Sequence, residues 1–339
     1  MNPKEFGRLP GVSNRLVHNP LVLADVGARG GLPPLWHAMG NQVSAIGFEP
    51  DKRSYEKLVS SGSGSGGTIQ INSALYSEET ELTLNLAHNE GDSSIYPPNK
   101  QFLDRFPESF RFNVVDQATM SAITLDAALE DNSVDRVDFI KLDTQGSELE
   151  ILKGGSATLK RGVLGIEVEV EFNPMYEGQA LFGAIDEFLR PFGFELFDLA
   201  PTYWKQDGRD TIGGPKGQII YADALYLLAP HAIDAVLDAS PDDPRDTLLR
   251  FMQICLIYGY LDYALVLADR SKEALGAQLH KIITEELSRS GKVEDRYRWL
   301  PLRGRIAFAL RLLAEHLQKP HTYWRRHGSD RFLGNPNRH

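Results

Sequence analysis

The chain has 339 residues, enough for about two average domains and for a full hydrophobic core without disulfides or a structural metal. It is 42% hydrophobic and 24% charged, and 36 basic against 46 acidic residues leave a net charge of −10. That balance argues against a general nucleic-acid binder, which needs a basic face to neutralise phosphates. Its single cysteine, Cys255, rules out internal disulfides and cysteine-held zinc, and it lies in the apolar run Phe251–Ile257, as a core residue would.

Residues 1–20 are polar, contain Pro3, Pro10 and Pro20, and read as a lead-in segment. The start lacks the apolar region of a secretion signal, and nowhere do about 18 apolar residues run together. The expectation is a cytoplasmic protein without a membrane-spanning helix. Strand and helix patterns then alternate. Leu21–Val26 reads as a buried parallel strand ending in glycines, and Pro33 suits the first turn of a helix to about Met39. Gln42–Glu49 reads as a second strand, Asp51–Ser60 as a helix, and Thr68–Asn72 as a third strand. Residues 61–67 resemble a flexible linker but mark no boundary, because the third strand follows at once.

Residues 76–125 interrupt the alternation and read as an insertion near the working edge of the sheet, with Glu81–Leu86 a half-exposed strand. Regularity returns with strand Val137–Asp143, a helix from about Ser147 to Leu159, and strand Val163–Val168. Helix Leu181–Arg190 and a sixth strand, Phe194–Phe197, follow. Ala224–Leu228 then returns without an intervening helix, as an antiparallel partner does. Beyond the Pro241–Pro244 segment the pattern is helical over roughly 245–269, 272–288 and 297–317, and residues 319–339 form a polar tail. The helical region, 240–318, is expected to dock on the preceding domain or on a second subunit. The expected fold is α/β: a doubly wound, mainly parallel seven-stranded sheet over residues 21–230, with an inserted β segment and a C-terminal helical domain.

The first strand runs into Asp25-Val26-Gly27-Ala28-Arg29-Gly30-Gly31. Glycines there let the backbone approach a ligand, and the helix that follows points amide groups at it. A dinucleotide turn reads Gly-x-Gly-x-x-Gly, whereas this one has Arg29 at the second glycine. The acid at Asp25 suits a ligand with an ammonium group. Glu49, ending the second strand, can accept both ribose hydroxyls of an adenosine, and Ser73 and Ala74 can border its adenine. The direct return strand is the reversed hairpin of a methyltransferase sheet, which favours S-adenosylmethionine over a nicotinamide dinucleotide. Asp143, at the end of the fourth strand, then faces the methyl donor.

The blocks Asp25–Ala28, Phe48-Glu49-Pro50, Ser93-Ser94, Thr124–Asp126, Ile140–Asp143 and Gly146–Glu150, continued by Ile151–Gly154 and Ile166-Glu167, resemble in order and spacing the FkbM-type methyltransferases, over about residues 21–230. The resemblance implies transfer of a methyl group from S-adenosylmethionine to a hydroxyl, often on a sugar, glycolipid or polyketide. Asp25, Gly27, Ala28, Arg29, Gly31, Glu49, Ser73, Ala74 and Ser94 are then the expected cofactor-binding residues. This chain departs from the family at Arg29, where asparagine is usual, and at Gln145, where an acid is common. Asp143 is the first candidate for the base that takes the hydroxyl proton, and His88 the second. No second and third oxygen ligand accompanies Asp143, so no metal is expected. Glu167, Glu169 and Glu171 share one face of the fifth strand, and Tyr203 and Trp204 could stack on a sugar or simply pack. The expected partners are a small-molecule or glycan acceptor and a further copy of the chain through its C-terminal helices, with no nucleic acid. A non-catalytic binding protein working through those helices is the alternative.

Overall fold

A computed structural model describes residues 2–27, 34–60, 68–209, 212, 217–240, 242–291, 300–317 and 333. Ala28, Arg29 and Gly31, the linker-like stretch 61–67 and nearly all of the polar tail lie outside the described residues.

The first twenty residues, expected to be a lead-in, are folded. They form α1 (Pro3–Phe6), closed by a capping box between Asn2 and Glu5, and α2 (Ser13–His18). Phe6, Val12 and Leu16 are fully buried in the main core. Helices of four and six residues are too short to show a hydrophobic period, which is why the sequence reads only as polar.

β1 (Leu21–Val26) and β2 (Val43–Phe48) are buried along nearly their whole length, as central parallel strands require. α3 (Pro34–His37) lies between them, and α4 (Lys52–Ser60) leads to β3 (Ile69–Ile71). The insertion builds a separate three-stranded sheet from β4 (Ala74–Tyr76), β5 (Thr80–Ala87) and β6 (Val114–Thr124), in the order β4-β6-β5, with α5 (Lys100–Leu103) between the last two. α6 (Leu125–Asp131) is capped by the Thr124 hydroxyl, which accepts the Ala127 N–H.

β7 (Phe139–Leu142) precedes a helix expected to be continuous to Leu159. It is instead α7 (Glu148–Gly154) and α8 (Ser156–Gly162), because Asp126 draws the amides of Ala157 and Thr158 into a fresh start. β8 (Gly165–Glu171), α9 (Phe182–Leu189), β9 (Phe194–Trp204) and β10 (Gln218–Leu228) complete a seven-stranded sheet of order β3-β2-β1-β7-β8-β10-β9. β1, β2, β3, β7 and β8 are parallel, and β10 inserts antiparallel between β8 and β9. The order reverses at β1 and β7, where ligands of open α/β sheets bind beyond the strands' carboxyl ends.

The C-terminal region comprises α10 (Ile233–Ala239), α11 (Pro244–Ile257), α12 (Leu261–Arg270), α13 (Lys272–Leu275), α14 (Ala277–Gly291) and α15 (Arg303–Leu317). Two helices expected to be continuous break at Gly259 and Gly276, whose φ of +79° and +78° no helix interior accepts. Every residue of α11 from Thr247 to Ile257 is buried. Arg250 reaches Asp138 at 2.9 Å and Asp242 at 2.7 Å, and Arg136 contacts the same two carboxylates. Gln253 donates to Gln42, which donates to the Gly7 carbonyl. One hydrophobic core accordingly runs from α1 and α2 through the sheet to α14.

Candidate active site

A cavity of about 260 Å³ opens at the carboxyl ends of β1, β2 and β7. Gly27, Glu49, Ser73, Ala74 and Asp143 line it together with Phe48 and Leu75; Leu82, Leu84 and Met120 of the small sheet and Ile151 of α7 complete an apolar wall.

Gly27 makes the convergence of strands possible. Its φ is +85°, and a Cβ there would lie 2.1 Å from the Asp143 carbonyl oxygen. The Gly27 amide donates to Phe48 O at 3.2 Å and the Asp143 amide to Val26 O at 3.1 Å, so the three strand ends are stitched at this residue. On the next strand the buried Glu49 carboxylate accepts the Asp51 amide through Oε1 at 2.9 Å.

Asp25, Lys141 and Glu167 stand in register on three neighbouring strands, β1, β7 and β8. Burial raises the Asp25 pKa, Lys141 at 3.7 Å counters it, and Asp143 adds repulsion. Asp25 Oδ1 is buried and has no hydrogen-bond donor among the described residues. Burial would lower the Lys141 pKa, but Asp25, Asp143 and Glu167 together hold it above the ordinary value. Burial, with repulsion from Asp223, pushes Glu167 up to about 7, although the Tyr258 hydroxyl donates to its Oε2 at 2.5 Å.

The loop after β7 is held by Glu148. Its Oε1 accepts from the Thr144 amide and hydroxyl, and its Oε2 from the Gly146 amide. That grip fixes Gln145 at a φ of +58°, a left-handed conformation uncommon outside glycine. Gln145 Nε2 then donates to Asp143 Oδ1 at 3.1 Å and to Glu169 Oε1 at 2.9 Å, and the Tyr176 hydroxyl lies 3.2 Å from Gln145 Oε1. Burial first, then the neighbouring carboxylates, raise Glu169 and Glu171 well above the usual carboxylate range.

The structure thus brings Gly27, Glu49, Ser73, Ala74 and Asp143 to one cavity. Ser94 does not line it: the Ser94 hydroxyl donates to the Gln145 carbonyl at 2.7 Å and accepts the Tyr96 amide, which secures the loop. Asp25 sits in the sheet behind the Gly27 turn. His88 is exposed, meets the Phe110 ring edge-on at 5.5 Å, and is outside the cavity. Trp204 is not a platform; it is buried against Phe106 and Phe112. Sequence reasoning missed Glu148 and Tyr176 as holders of the loop. An acid in the first turn of a helix, four residues after Thr144, was the available signal for Glu148; nothing local signals Tyr176.

The model of the Methyltransferase FkbM domain matches residues 25–196. No curated protein matches the chain. Among solved structures it is similar to the methyltransferase FkbM from Methylobacillus flagellatus KT, at 13% identity over 66% of this chain and 47% of that one, with a TM-score of 0.37. It is also similar to the magnesium protoporphyrin IX methyltransferase from Synechocystis PCC 6803, at 10% identity over 67% of this chain and 80% of that one, with a TM-score of 0.34. The chain thus spans about half the length of the first of these structures. The matched segment begins at Asp25, on β1, and ends within β9, taking in more than half of the residues and every element around the cavity, and the chain belongs to the FkbM methyltransferase domain family.

Proposed function

We propose that this protein is an S-adenosylmethionine-dependent O-methyltransferase that modifies a hydroxyl of a sugar, glycan or glycolipid precursor. The observation that carries the reading is the convergence of the Gly27 turn, the buried Glu49 carboxylate and Asp143 on one cavity at the point where the strand order reverses. Bound there, S-adenosylmethionine supplies a methyl group made electrophilic by its sulfonium. The cavity fits such a guest in two respects. Glu49 offers a carboxylate for ribose hydroxyls, and the apolar wall of Leu82, Leu84, Met120 and Ile151 suits the adenosyl body, while Gly27 lets the β1 and β7 ends close together beside it. Ser73 and Ala74 border the adenine.

Asp143 serves as the base. It receives the hydroxyl proton of the acceptor, while Gln145 holds its Oδ1 in place. Most of the protein's contribution is alignment, since in-line displacement depends on the approach of the acceptor oxygen.

Calorimetry with S-adenosylmethionine and S-adenosylhomocysteine, followed by labelled-methyl transfer to a panel of neutral glycans, tests the reading. Asp143→Asn should keep cofactor affinity and lose on the order of a hundredfold or more in turnover. No binding of either nucleoside sinks the proposal. Binding with no transfer to any acceptor favours a non-catalytic binding protein instead.

A further inference from the structure

Helix α15 presents apolar side chains that nothing in the rest of the described chain covers. Ile306, Leu310, Leu313 and Leu317 recur at spacings of four, three and four residues and form one stripe, and they are 42, 61, 55 and 76% exposed. Ala307 and Ala314 flank the stripe and widen it. Phe308 and Leu312 are 63 and 42% exposed on another side of the helix. A soluble surface rarely leaves contiguous apolar area of this kind open; such patches mark contact sites.

The charge of the helix identifies the partner. Arg303, Arg305 and Arg311 are exposed along it, and from Arg303 to His339 the sequence holds eight basic against two acidic residues in a chain whose net charge is −10. A membrane surface rich in anionic lipid meets both requirements at once. Its phosphates take the arginines and its acyl boundary takes the stripe. The acidic remainder of the chain is repelled by the same surface, which leaves α15 as the element in contact.

We propose that α15 lies in the plane of an anionic lipid bilayer and attaches the protein to it. No helix among the described residues is long and apolar enough to cross a membrane, so the contact is interfacial. The proposal stands apart from the methyl-transfer reading, because none of its residues lines the cavity.

The test is cosedimentation of the full chain with vesicles of phosphatidylcholine alone or of phosphatidylcholine with phosphatidylglycerol, at low and high salt. Three arginines should favour the anionic vesicles by on the order of a hundredfold at low salt, and the preference should shrink as salt rises. Leu310→Asp with Leu313→Asp should abolish binding to both vesicles. Arg303→Gln, Arg305→Gln and Arg311→Gln together should remove the anionic preference. Both variants should stay folded, since the substituted side chains are exposed. Equal partition into the two vesicles, or none into either, overturns the proposal. So does a concentration-dependent dimer, formed without lipid and lost in the double leucine variant, which would assign the stripe to a second copy.

Discussion

The Tyr258 hydroxyl donates to Glu167 Oε2 at 2.5 Å, a bond that joins the end of α11 to the strand beside Lys141. Because Glu167 is pushed up to about 7 from an ordinary 4.5, the folded protein holds its proton more tightly than the unfolded chain does. Its contribution to stability is therefore full below about pH 4.5 and is lost as the pH rises through 7. A glutamine in its place removes the titration. Glu167→Gln should lose less stability than the parent between about pH 4.5 and 7, by up to about 3 kcal/mol. Urea unfolding at about pH 5 and about pH 8, on either side of this titration, measures the difference, and parallel pH profiles for the two proteins would contradict it.

Gly27 admits no side chain. Gly27→Ala combines a left-handed φ with a Cβ 2.1 Å from the Asp143 carbonyl. Relief requires β1 and the β7 loop to part, which should cost about 1–3 kcal/mol and most of the affinity for S-adenosylmethionine. Thermal unfolding and calorimetry read the two losses separately. A variant with unaltered stability and affinity would show that the turn yields freely.

Glu49 is predicted to act in binding, not in folding. A Glu49→Gln variant keeps the Asp51 amide bond through its carbonyl oxygen but loses the charge offered to ribose hydroxyls. Hydrogen bonds to charged acceptors contribute about 1.5–3 kcal/mol, so affinity for the nucleoside should fall by roughly ten- to a hundredfold with little change in Tm. Unchanged affinity would move the ribose away from this carboxylate.

Arg250 is fully buried and paired with Asp138 and Asp242. Arg250→Met strands the Asp138 carboxylate, although Arg136 still reaches it, and should destabilise the chain by about 3 kcal/mol. The double variant Arg250→Met with Asp138→Asn should recover part of that loss, since a stranded charge costs more than an absent pair. Denaturant unfolding of both variants decides the point.

The central strands were legible because a parallel sheet buries both faces and forces continuous apolar runs such as Leu21–Val26. Gly27, Glu49 and Asp143 were legible for a related reason, as each closes such a run and the ligand end of the sheet lies there. What the sequence hid was made by distance or by a single dihedral. Tyr258 is 91 residues from Glu167, and no local pattern announces their bond. Gly259 and Gly276 sit in periods that read as unbroken helices, yet one left-handed residue ends each. Ser94 appeared as a cofactor residue because it belongs to a recognisable block, while its hydroxyl serves the neighbouring loop. His88 reads as a candidate because it is an imidazole in the insertion that could cover an acceptor, but neither its chemistry nor its place in the chain fixes which way the loop faces, and it lies outside the cavity.

The continuity of the core from α1 to α14 has a consequence for anyone who would shorten this protein. The segment shared with other family members, 25–196, ends partway along β9 and excludes β10, so it leaves a strand unpaired and a flank of the sheet bare. Excised by itself, it would aggregate before it could be assayed. Any portable version of this protein has to carry both chain flanks, at least as far as Leu287, because the wall that seals the sheet is supplied from outside the matched segment.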